Sequence, residues 1–208
     1  MANLFAALND ELAGVVSAVR RSVVEVRDGR RGIGAGTIWH SDGLILTNAH
    51  VARHGGLRVA LQDGRVLRAQ TIARDDERDL AALAIEANDL LTIQPGSART
   101  IHAGQWVLAL GHPWGISNAA TGGIVIGLSG LAPEMPDVRN DWVVVDLHLR
   151  PGNSGGPLVD VQGRLIGVNT MMTGPGVGMA VSVDAAKAFL RERIGAAAGA
   201  ASVPSEVV

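Results

Sequence analysis

The stretch Pro151-Gly152-Asn153-Ser154-Gly155-Gly156-Pro157-Leu158 constrains this chain more than any other. A serine set among glycines and closed by a proline is a tight turn that exposes its hydroxyl and leaves backbone N–H groups to point at one spot. An acyl-transfer nucleophile needs that geometry. Ser154 Oγ would attack a carbonyl, and the N–H groups of Gly152 and Ser154 would receive the oxyanion, with Asn153 between them in the same hole. Taken alone, the same letters also describe a glycine turn between two strands whose serine serves a local hydrogen bond.

A nucleophilic serine needs a base, and the base needs an orienting carboxylate. Thr47-Asn48-Ala49-His50 and Arg78-Asp79-Leu80 supply both, in the order His50, Asp79, Ser154. That is the chymotrypsin order, not the order of α/β-hydrolases or subtilisins. The six histidines are His40, His50, His54, His102, His112 and His148, and none follows Ser154, which excludes the nucleophile-elbow alternative. His50 is expected to take the serine proton and return it to the leaving amine, an exchange that suits an imidazole of ordinary pKa, about 6.5. Asp79 is expected to hold the tautomer, at a strand edge because Leu80-Ala81-Ala82-Leu83 follows at once. Its neighbours Asp75, Asp76 and Glu77 read as a solvated turn. His50 and His54 have an i, i+4 spacing that can hold a metal, but no third ligand or cysteine accompanies them, so no metal and no cofactor are expected. His54 reads as a surface residue, and His40, His102 and His112 as turn or surface residues.

Of the 208 residues 47% are hydrophobic and 18% charged, enough to bury one or two sizeable cores. A net charge of -2 provides no footprint for nucleic acid or an anionic membrane. The absence of cysteine removes disulfides and leaves the compartment open. No basic n-region opens the chain, and Asp10-Glu11 interrupts the first apolar run. No run approaches the ~18 apolar residues of a membrane span. The expected location is cytoplasmic for a complete chain and cell envelope or periplasm for one that has lost a signal or anchor.

Residues 1–22 read as a helical arm, since Leu4, Leu8, Leu12, Val15, Val16 and Val19 keep a helical spacing. It can pack on the body or, with Phe5 as anchor, on a neighbouring subunit. From Val23 to Gly111 short β-branched runs are punctuated by Asp28-Gly29, Asp42-Gly43 and Asp63-Gly64, the strongest local hairpin signal. A second, similar set of strands follows the turn-rich Gly111-His112-Pro113-Trp114-Gly115. The expected fold is all-β, with two packed antiparallel β-barrels over 23–111 and 112–183, the base and acid in the first and the nucleophile in the second. Ser182 or Asp184 would cap a last helix over 184–195, and 196–208 reads as a flexible tail.

Thr47-Asn48-Ala49-His50-Val51, Asp79-Leu80-Ala81-Ala82-Leu83, Gly111-His112-Pro113-Trp114-Gly115, Gly152-Asn153-Ser154-Gly155-Gly156-Pro157-Leu158 and Gly178-Met179-Ala180-Val181 together resemble the HtrA/Deg branch of trypsin-like serine proteases. The resemblance runs from Val23 to Ile194. It implies two Greek-key barrels of chymotrypsin type, over 1–195 as one protease domain, and an endopeptidase acting on unfolded or damaged protein in quality control. A trimer through the N-terminal segment is the implied assembly. Where the family usually continues into a peptide-binding PDZ domain, this sequence runs into an Ala/Gly tail, as expected of either a stand-alone protease or a piece of a longer one, and only a short loop, Asp28-Gly29-Arg30-Arg31-Gly32, follows the first strand. By the same resemblance Thr170 lends a group to Asp79, and His148, Leu149, Thr170, Met171 and Met172 form an apolar substrate pocket with a strand edge for substrate. His148 is expected to turn away from it. The rival reading is a protease-fold scaffold that holds unfolded peptide with little turnover.

Overall fold

The structure, a computed structural model, describes residues 2–116, 119–128 and 142–195. The first barrel comprises β1 (Val23–Asp28), β2 (Arg31–His40), β3 (Leu44–Thr47), β4 (Leu57–Ala60), β5 (Val66–Asp75) and β6 (Leu80–Ile85). The second comprises β7 (Trp106–Gly111), β8 (Ala119–Leu128), β9 (Trp142–Asp146), β10 (Pro157–Asp160), β11 (Leu165–Gly174) and β12 (Val177–Ser182). The hydrogen-bonded orders β1-β2-β3-β6-β5-β4 and β10-β11-β12-β9-β8-β7 each close on themselves. Closure removes the open edges that antiparallel sheets otherwise leave. Each Asp-Gly pair turns a hairpin, and at Gly43 (φ 92°) the turn also demands glycine, since a Cβ there would lie 2.2 Å from the Ile85 carbonyl oxygen.

One strand belongs elsewhere than the sequence grouping placed it. Trp106–Gly111, counted there with the first set, pairs Val107 with Gly123 of β8 and Leu108 with Val159 of β10, so it opens the second barrel. The passage between barrels therefore runs through 86–105. Alternation along a strand reports which face is buried and says nothing about which distant strand lies beside it.

Each barrel encloses its own core, Val24, Ile45, Val59 and Leu83 in the first and Val107, Val143, Leu158 and Ile166 in the second. Two further clusters weld the barrels. One joins Val23 and Ala35 to Leu108, Leu110, Val159 and Leu165. The other seats Phe189 of α2 (Val183–Leu190) among Leu46 and Leu80 of the first barrel and Val168 and Val181 of the second. Ser182 is the cap of α2, accepting from the Ala185 N–H at 3.1 Å, while Asp184 accepts from the Ala98 N–H at 2.8 Å. α2 ends in a π-helical turn, Arg191–Gly195. The expected tail, 196–208, lies outside the described residues.

The N-terminal helix α1 (Ala2–Val19) divides between its two expected roles. Leu12, Val15 and Val16 pack against the seam and Val19 is buried in it, whereas Leu4, Phe5 and Leu8 are 72%, 71% and 50% exposed.

His112 lies in the turn after β7, one of its two expected places, and is buried there rather than at the surface. The turn after β7 folds inward beneath the nucleophile loop, with the His112 N–H donating to the Gly152 carbonyl at 2.9 Å. Burial is the largest effect on its imidazole and pushes the pKa down, aided by Arg27 and opposed by Glu25 and a hydrogen bond to the Val24 backbone. A histidine depressed in the folded state binds fewer protons there than in the unfolded chain. Its contribution to stability is thus complete above the unfolded value of about 6.5 and is lost as pH falls through the lowered folded one. Denaturant unfolding at stepped pH should show the unfolding free energy dropping below that value, and dropping less steeply in a His112→Gln variant. Equal slopes in both proteins would contradict the assignment.

Candidate active site

The nucleophile turn is built by its own sequence. Arg150 to Asn153 form a turn closed by the Asn153 N–H donating to the Arg150 carbonyl at 2.8 Å, and Asn153 Oδ1 accepts from the Arg150 N–H at 3.0 Å. Pro151 presets the first central position, and Gly152 (φ 104°) supplies the positive φ that the second one needs in a type II turn. The Asn153 N–H is thereby committed to the turn, so this member of the expected oxyanion hole has no N–H to offer. The Gly152 and Ser154 N–H groups have no acceptor among the described residues. Gly155 follows at φ 83°, where a Cβ would lie 2.1 Å from the Ala35 carbonyl oxygen and 2.2 Å from Thr47 Oγ1. Only a bare backbone can approach the first barrel that closely. The approach brings the Ala35 N–H to the Ser154 carbonyl at 2.8 Å, so both barrels hold the serine.

β3 ends at Thr47 and the chain turns, delivering His50 to the seam. His50 Nδ1 lies 2.8 Å from Asp79 Oδ2 and 3.0 Å from Oδ1, and the His50 backbone N–H also donates to Oδ1 at 3.0 Å. A ring nitrogen facing a carboxylate at that range carries the proton, which leaves Nε2 as an acceptor. Asp79 sits in the left-handed region at φ 53°, a conformation aspartate tolerates better than most residues. The Ser154 hydroxyl donates to the Thr170 carbonyl at 3.0 Å, and among the described residues no hydrogen bond joins it to His50.

Asn48 holds this arrangement together, and the sequence reading gave it no role. It is fully buried, and its Nδ2 donates both to the Asp79 carbonyl at 2.9 Å and to Thr170 Oγ1 at 3.0 Å, bridging the barrels behind the site. The signal was its place between a strand end and the histidine, since a buried amide must find partners. The Thr170 hydroxyl donates to the Val168 carbonyl at 3.1 Å, so Thr170 does not lend it to Asp79. Asp75 is also corrected. It is buried rather than solvated, accepting from the Glu77 and Arg78 N–H groups at 3.1 and 3.0 Å. His54 lies at the surface 3.7 Å from Asp28. Among the described residues no three His, Asp or Glu side chains gather as a metal site would require.

Of the expected pocket residues, Leu149 is buried in the second barrel and its N–H lies 3.3 Å from Met172 Sδ. Thr170 is buried, Met172 half-buried and Met171 exposed. His148 is exposed, between the buried Leu147 and Leu149. On the other side of Ser154 a cavity of about 340 Å³ is lined by Glu25, Ile33, Trp114, Pro151 and Gly152 among others. The Arg150 guanidinium lies 5.1 Å from the centre of the Trp114 ring. A larger cavity of about 500 Å³ lies against α1, lined by Val15, Thr92 and Gln94 and away from His50, Asp79 and Ser154.

The arrangement brings together at the seam an imidazole held by a carboxylate and a serine turn with two N–H groups that have no acceptor among the described residues. Known proteins share its frame. The trypsin-like peptidase domain profile matches residues 34–168. A probable periplasmic serine endoprotease, DegP-like, from Halomonas elongata is 38% identical over 144 residues, 69% of this chain and 30% of that protein. The mitochondrial serine protease HTRA2 of Drosophila erecta is 37% identical over 198 residues, 86% of this chain and 47% of that protein. The chain thus spans less than half the length of these two relatives. The solved HtrA-type protease AlgW with a decapeptide superimposes with a TM-score of 0.81 at 29% identity, covering 88% of this chain and 67% of that one. With its two closed barrels and this profile match, the chain belongs to the trypsin-like peptidase domain family, and HtrA/DegP-like serine proteases are among its homologues.

Proposed function

We propose that this chain is a serine endopeptidase that cuts unfolded polypeptide through an acyl-enzyme, with Ser154 as nucleophile, His50 as general base and acid, and Asp79 as the orienting carboxylate. The observation that carries this reading is the 2.8 Å contact of His50 Nδ1 with Asp79 beside a serine turn whose two flanking N–H groups are uncommitted. Rotation of the Ser154 hydroxyl from the Thr170 carbonyl to His50 Nε2 sets up attack on the scissile carbonyl. The serine proton passes to Nε2 as the Oγ–carbon bond forms, and the Gly152 and Ser154 N–H groups receive the oxyanion. Collapse of the tetrahedral species breaks the carbon–nitrogen bond, and imidazolium gives its proton to the leaving amine. Water then repeats the sequence on the acyl-enzyme, with His50 again as base.

Substrate pairs as an added strand. β10 pairs with β11 only as far as Val168, and beyond that residue the same edge of β11 passes the serine turn and has no strand partner among the described residues. Extended peptide can therefore hydrogen-bond to the Thr170–Met172 backbone. Leu149 and Met172 would wall the pocket for the residue before the cut bond, favouring Val, Leu, Ile or Met, and methionine's flexibility would blur the choice among them. The exposed Leu4, Phe5 and Leu8 would seal against other copies of this chain in a trimer.

Digestion of casein followed by peptide sequencing tests the chemistry and the pocket together. The native protein should yield fragments ending in Val, Leu, Ile or Met, and Ser154→Ala should yield none while melting as the native protein does. Fragments from Ser154→Ala, or a dominant Arg or Lys at the cut, would contradict the reading. Light scattering tests the assembly. The native chain should have three times the monomer mass, and Phe5→Glu with Leu8→Glu should dissociate it. A native monomer would remove the trimer.

A further inference from the structure

The loop that carries Asp79 is held from outside the barrels. β5 and β6 pair Asp75 with Leu80, so only the four residues 76–79 turn the chain, and the last of them takes the left-handed φ of 53°. That conformation is one even aspartate adopts only with local support, so the contacts of its neighbours help to keep Asp79 in place. Asp75 is the inner support. One carboxylate oxygen binds the Glu77 and Arg78 N–H groups, and the other faces Arg78 Nη1 at 3.8 Å and Arg193 Nη2 at 3.7 Å. Arg78 Nη1 lies 2.7 Å from Glu192 Oε2. Its hydrogen bond is the main reason the Glu192 carboxyl titrates below its usual range. Glu192 and Arg193 both belong to the π-helical turn that ends α2.

We infer that Asp75 is a positioning residue for Asp79, and that Glu192 and Arg193 latch the Asp79 loop to the end of α2 by way of Arg78 and Asp75. Exposed ion pairs of this kind contribute little to global stability, so stability is not their main effect. Geometry is, because a carboxylate that must meet an imidazole at hydrogen-bond distance loses catalytic effect with small displacements, about 100-fold for 1 Å. This inference rests on the proposed role of Asp79.

Steady-state kinetics on a peptide substrate, NMR of the low-field His50 Nδ1 proton and thermal melting, all on the full chain, test it together. Asp75→Ala should lower kcat about tenfold or more with KM little changed, and should shift or broaden the His50 proton resonance. Asp75→Asn should recover part of the loss, since its amide oxygen can still accept from the Glu77 and Arg78 N–H groups. Glu192→Arg should lower kcat by a smaller factor, and Glu192→Asp, which keeps a carboxylate for Arg78, should lose less than Glu192→Arg. A folded Asp75→Ala protein with native kcat and a native His50 resonance would overturn the positioning role. Losses that merely track the folded fraction would do the same. If Asp75→Ala does not fold, the exposed pair decides: a folded Glu192→Arg protein with native kcat and a native His50 resonance overturns the latch. Asp79→Ala separates the two levels. Full activity in that variant refutes the proposed triad, whereas an inactive Asp79→Ala beside a fully active Asp75→Ala refutes only the positioning inference.

Discussion

The site depends on one close approach, the serine turn of the second barrel laid against β2 of the first. The Ala35 N–H donates to the Ser154 carbonyl at 2.8 Å, and Gly155 passes Ala35 and Thr47 where no side chain could fit. Neither barrel alone contains a complete site. His50 and Asp79 come from the first and Ser154 from the second, so the chemistry exists only if the barrels meet in one register. The two seam clusters and Phe189 of α2 supply the apolar burial that fixes this meeting. Buried apolar surface is non-directional, so it brings the barrels together without choosing a register. The register comes from directional bonds, the Ala35–Ser154 contact and the Asn48 amide that joins the Asp79 loop to Thr170.

Much of this was legible in the residues because it is local. The Asp-Gly pairs announce hairpins, and the Pro-Gly-Asn-Ser-Gly-Gly turn announces an exposed serine on a tight glycine turn, which reads as a nucleophile only beside His50 and Asp79. The order of His50, Asp79 and Ser154 then limits the fold. What escaped is what depends on distant partners. β7 reads like its predecessors, but β8 and β10 claim it. His112 looks like any turn histidine until the loop above it is placed, and Asp75 looks solvated until the end of α2 comes back to meet it. Asn48 stood in plain view inside a recognised motif, yet its two acceptors lie 31 and 122 residues away.

The resting hydroxyl adds a dynamic step. Ser154 Oγ is bonded to the Thr170 carbonyl, on the strand that is proposed to receive substrate. A peptide that pairs with this edge of β11 arrives beside the same carbonyl that holds the nucleophile, so substrate binding and release of the hydroxyl toward His50 are adjacent events. Catalytic hydrogen bonds commonly tighten only once substrate is present.

The central claim is that one serine, activated across the seam, does the chemistry. A fluorophosphonate, which phosphonylates only activated serines, tests it most directly when the adduct is located by mass spectrometry. The account predicts a single adduct per chain, on Ser154, and loss of labelling in His50→Ala. An adduct on another residue, or a folded native protein that takes no label, would contradict it.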